Sequence, residues 1–104
     1  MNNYRIEFND IPWDSPARGV RVKSLQRGDK KLRLVEFTQE FVEPDWCTKG
    51  HIGLVLEGEV AININGVVQN FKAGDGLMIP SGAENRHKHH DTIKPTRLFL
   101  VEDA

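Results

Sequence analysis

The sequence predicts an all-β domain, a sandwich or barrel of short strands. Three observations carry this expectation. Apolar residues recur with a period of two, not 3.6. Each alternating run is short and bounded by Gly, Pro, Asn or Asp. No segment carries a sustained helical stripe. With 104 residues the chain has room for one domain, taken as 1–104, and one hydrophobic core.

Taken in order, Tyr4–Phe8 (YRIEF) alternates and reads as a strand. Ile11–Pro16 (IPWDSP) holds two prolines and reads as an irregular arm, about residues 9–17, anchored by Trp13. Gly19–Leu25 places Val20 and Val22 on one face. Arg27-Gly28-Asp29 then separates it from Lys31–Phe37, where Leu32 and Leu34 alternate against Arg33 and Val35. Ile52–Leu56 and Val60–Ile64 follow as two further runs. Asn65-Gly66 is a strong hairpin signal, because a type I′ turn needs positive φ at both central residues. Beyond it lie Val67–Phe71, the reversal Ala73-Gly74-Asp75-Gly76, and Gly76–Ile79, which Pro80-Ser81-Gly82 terminates. Glu84–Lys94 is the best helix candidate, yet it is mostly polar and has no apolar face. Arg97–Val101 closes the series, for eight or nine expected strands.

Composition excludes several function classes. The 14 Lys+Arg against 15 Asp+Glu give a net charge of -1, without the basic excess of a nucleic-acid binder. No apolar run is long enough to span a membrane. One cysteine cannot build an intrachain disulfide framework and fits a reducing compartment. The first ten residues show no secretory signal, and VEDA carries no lipidation box. A soluble cytoplasmic domain is expected.

The reactive side chains concentrate in two segments, Asp45–His51 (DWCTKGH) and Asn85–His90 (NRHKHH), which hold all 4 histidines and the cysteine. If both are strands, residues of like parity share a face. Asp45, Cys47, His51, Gly53 and Val55 then lie together, as do Asn85, His87 and His89. Val55 continues the first face into an apolar strand, so that face points inward, while Arg86, Lys88 and His90 point to solvent. Cys47 also reads as a small packing residue, and His51 as a buried histidine bonded to a neighbour.

The stretch Cys47–Gly82 resembles a cupin, a small double-stranded β-barrel of jelly-roll type. The resemblance rests on Leu54-Val55-Leu56-Glu57-Gly58-Glu59, on the Asn65-Gly66 hairpin, and on Gly74, Pro80 and Gly82, which keep the second cupin motif's spacing. It implies a metal site on facing strands, but the ligand positions depart from the usual types. The two first-motif His positions fall on Asp45 and Cys47, the Glu on His51, the second-motif His on Asn85, and its trailing Asn on His89. Asp, Cys and His all ligate divalent metals. The expected set is therefore Cys47, His51 and His87, with Asp45, Asn85 or His89 as further site residues. Mixed sulfur and nitrogen donors suit zinc first, with iron, nickel or copper as alternatives.

The resemblance implies binding of a small molecule beside this metal. One expectation is an isomerase, lyase, decarboxylase or oxygenase acting on a sugar or small organic acid, with a second His or Asp45 moving the proton. The other is a non-catalytic metal- or ligand-binding sensor. By analogy a homodimer is expected, with the Trp13 arm or the strand Arg97–Val101 covering an exposed edge.

Overall fold

The computed structural model describes residues 3–104; Met1 and Asn2, where the stretch read for a leader begins, lie outside them. Seven strands follow one another: β1 (Asp14–Ala17), β2 (Val20–Arg27), β3 (Lys30–Phe37), β4 (His51–Ile64), β5 (Val67–Lys72), β6 (Gly76–Ile79) and β7 (His87–Asp103). Two single 3-10 turns, Phe8–Asp10 and Ala83–Asn85, are the only helical pieces among the described residues. None is long and apolar enough to cross a membrane. Every pairing is antiparallel, in the order β1-β2-β3-β7-β4-β5, with β6 also paired to β4. This is the all-β jelly-roll expected.

The hairpin signals act as their chemistry requires. Ile64 pairs with Val67 across Asn65 (φ 49°) and Gly66 (φ 95°), the two positive φ values of a type I′ turn. Arg27 pairs with Lys30 across Gly28, φ 59°. The strand count is lower than expected because runs fuse. Ile52–Leu56 and Val60–Ile64 are two halves of β4, and the polar stretch after Arg86 joins Arg97–Val101 in β7. The ladder between them shifts register repeatedly from Val55 to Ile62, which bends the ribbon. Gly58 sits at that bend with φ 85°. A Cβ there would lie 2.8 Å from the Pro95 carbonyl carbon and Thr96 Cα. Replacing Gly58 by Ala is therefore expected to lower stability by about 2 kcal/mol, read as a lower urea midpoint.

The N-terminal expectations need correction. Tyr4–Phe8 forms no strand; Phe8 opens a 3-10 turn and packs edge-on against Phe99. Of its alternating residues only Ile6 and Phe8 are half-buried, while Tyr4 is exposed. The arm is not irregular throughout, since Asp14–Ala17 pairs with β2. Trp13 lies under Arg21 and Lys23, whose cationic groups stand 4.1 and 4.8 Å from its ring centre.

The core fills the inside of the bent ribbon, with Val35, Val55 and Val60 at most 2% exposed. On β3 it is Arg33, Val35 and Phe37 that face this interior. Leu32 and Leu34 face outward, where register aligns Leu25, Leu32, Val101, Ile52 and Met78 in one apolar row. Arg97–Val101 does not serve as an edge: β7 lies between β3 and β4 with both sides paired.

Candidate functional site

Cys47 lies in the loop between β3 and β4, yet its backbone is fixed. It exchanges two hydrogen bonds with His87, Cys47 N–H to His87 O at 2.8 Å and His87 N–H to Cys47 O at 2.9 Å. That bridge sets the thiol beside the first residue of β7. His51 opens β4, and parity turns it inward with Val55. The donor atoms of Cys47, His51 and His87 all lie within 4.8 Å of one another. The two imidazoles meet edge to face, with ring centres 4.8 Å apart.

Each imidazole is oriented by an oxygen. Nδ1 of His87 stands 3.1 Å from the Asn85 carbonyl, which can only accept, so Nδ1 carries the hydrogen. Nε2 then holds a free lone pair. It is buried and has no partner, in a residue only 4% exposed. Buried polar atoms are nearly always satisfied, so an orphaned acceptor marks a place where something binds.

His51 Nδ1 is in ion-pair contact with the Glu102 carboxylate, leaving Nε2 as its free donor atom. Glu102 is in turn held by Arg33, Nη1 to Oε2 at 3.2 Å. Burial works to raise the Glu102 pKa, but contact with His51 and the Arg33 charge outweigh it and bring it down to about 2. A carboxylate behind a ligating histidine is the usual second support of a metal site.

A cavity of about 300 Å³ opens from the two imidazoles into the interior. Aliphatic side chains from β2, β4, β6 and β7 line most of it. Phe37, Phe41 and His89 form a ring cluster on its wall, with centres 4.6 to 5.1 Å apart. Glu43 also reaches this cavity and accepts the His89 backbone N–H at 2.7 Å.

The remaining expected site residues lie outside the donor cluster. Asp45 is exposed. Asn85 contributes its backbone carbonyl, not its side chain. His89 bonds Thr92 Oγ1 through Nε2 at 2.8 Å and packs on the two phenylalanines. Burial pushes its pKa down to about 4, against a smaller upward pull from Asp91. Arg86 and Lys88 do turn away, flanking the Trp46 ring at 4.3 and 4.8 Å.

Sequence reasoning missed Arg33, Glu43, Glu102, Phe37 and Phe41. Parity with Val35 could have found Arg33 and Phe37, and parity with Leu98 and Leu100 could have found Glu102. Glu43 and Phe41 come from a loop with no period to read.

No family model matches the chain, and no curated protein matches it. Solved structures do. An RmlC-like cupin from Shewanella frigidimarina superposes with a TM-score of 0.78 at 16% identity, covering 98% of this chain and 91% of its own. KdgF from Halomonas sp. gives 0.77 at 16% identity, covering 99% and 94%. The polyketide cyclase RemF from Streptomyces resistomycificus gives 0.76 at 18% identity, covering 98% and 80%. Near-complete coverage at so little identity is agreement of backbone architecture, and together with the bent β4–β7 ribbon it establishes that this chain is a small domain of cupin fold.

Proposed function

We propose that this domain holds a divalent metal, zinc first, on Cys47, His51 and His87, and binds a small molecule in the cavity beside it. The observation that carries this reading is the buried, unpartnered Nε2 of His87 next to a thiol and a second imidazole. One sulfur and two nitrogens suit zinc, and leave a coordination position open, as catalytic sites require. When bound, the metal would act as a Lewis acid on a ligand oxygen. The chain supplies the rest. Glu102 and the Asn85 carbonyl fix the two ring orientations, and the aliphatic walls exclude water. Glu43 is the cavity carboxylate outside any ion pair among the described residues, and so the group placed to accept a proton there.

Chemistry of the isomerase or lyase kind fits a site with a Lewis acid and one free carboxylate. The fold similarity to a polyketide cyclase supports an enzyme of this general type. Titration of untagged, chelator-treated protein with zinc should give one site per chain. Cys47→Ser and His87→Ala should each weaken it by at least about tenfold. Unchanged zinc affinity in both variants would refute the site.

A non-catalytic binding module is the second reading. The observation favouring it is that Arg33 and His89 are already engaged with Glu102 and Thr92. Turnover by any of a panel of small carbonyl compounds, lost in Glu43→Gln, would exclude it.

A further inference from the structure

We infer that the cavity takes a compact, uncharged, largely apolar molecule bearing a hydroxyl group, a phenol or an alcohol, and neither a sugar nor a free organic acid. This deepens the reading above and rests on it only for where the metal would sit. Three features of the cavity lead to it.

The first is the wall. Val20, Val60, Ile62, Leu77 and Leu98 present only carbon, and Phe37 and Phe41 add aromatic surface. A sugar carries a hydroxyl on nearly every carbon, and each one buried here without a partner loses about tenfold in affinity.

The second is how few polar groups remain free. Arg33 is bound to Glu102, His89 Nε2 to Thr92, and Glu43 Oε1 to the His89 backbone N–H. The acceptors left are the lone pairs on His87 Nε2 and His51 Nε2 and the second oxygen of Glu43. An acceptor needs a donor, and a hydroxyl supplies one. The same oxygen is also the atom a metal at this end would take.

The third is charge. Glu102 is already shared between Arg33 and His51, while Glu43 belongs to no ion pair among the described residues. A ligand carboxylate would enter a low-dielectric space that already holds one, and like charges there repel strongly.

The test uses the full chain at pH 7.5 and 2-naphthol, 2-naphthoate, glucose and galacturonate as probes, first with chelator and then with zinc. By calorimetry, chelated protein should bind 2-naphthol at least about tenfold more tightly than 2-naphthoate, and neither sugar should bind. Glu43→Gln keeps an oxygen for the His89 N–H and removes the charge, so it should narrow the naphthol-to-naphthoate gap. Tighter binding of 2-naphthoate or of either sugar, no binding of 2-naphthol at millimolar concentration, or a gap that Glu43→Gln leaves unaltered would each overturn the inference. The zinc arm reports separately. If zinc fails to bind while chelated protein still prefers 2-naphthol, the metal reading falls and the cavity assignment stands.

Discussion

Replacing Glu102 by Ala should destabilise the protein by about 3 kcal/mol, because it strands Arg33 and His51 beside a buried gap. Glu102 is only 5% exposed, and its two oxygens serve both partners. Removing one member of a buried ionic group costs more than the group contributes, since the remaining charge keeps its desolvation penalty. Arg33 retains a side-chain exposure of 26%, which holds the expected loss near the lower end of the range for such changes. Urea unfolding at pH 7 measures it. Glu102→Gln separates packing from orientation. It keeps the volume and one acceptor, so the loss of stability should be smaller, but His51 loses its anionic support. Zinc affinity should then fall by about 10- to 100-fold. A Glu102→Gln protein with full zinc affinity would show that His51 is held by other means.

The second large effect is on pH dependence. His89 has a folded pKa of about 4 against an ordinary value of 6.5, because burial disfavours the charged ring. Above pH 6.5 the ring is neutral in both folded and unfolded chains, and no penalty arises. As pH falls below 6.5 the unfolded chain takes up a proton that the folded one refuses, so stability declines until about pH 4. The full difference is about 3 kcal/mol. Urea midpoints of chelated protein at pH 7.5 and 4.5 should show this loss. His89→Gln, which cannot titrate, should show much less of it. Glu102 contributes in a different window. Its lowered pKa adds stability above the ordinary carboxylate range, which is lost as pH falls toward 2.

Comparison of sequence and structure shows where local pattern carries information. The Asn65-Gly66 and Arg27-Gly28-Asp29 turns were legible because their backbone angles demand particular residues. So was inward parity at His51 and His87, since a strand alternates faces whatever its residues are, whereas residues 45–50 form a loop, and the same parity wrongly turned exposed Asp45 inward. The outer face of β3 was harder. Leu32 and Leu34 are half-buried on the outer face, where Phe8 packs on Phe99, the partner of Leu34, so both faces of that strand read as apolar. The first half of β7 was obscured because its inward positions are His87, His89 and Thr92. Polar residues at buried positions erase the hydrophobic alternation that marks a strand. Glu102 was missed for the same reason.

The place of β7 also governs how the molecule comes together during synthesis. It is made after the other six strands, yet it fills the gap between β3 and β4, which were made tens of residues earlier. Those earlier strands must wait with unpaired edges, a slow and aggregation-exposed arrangement that depends on distant pairings. His87 and Glu102 arrive only with this final segment. Cys47 and His51 therefore wait for β7 to dock, and the cluster of three donor atoms cannot form before it does.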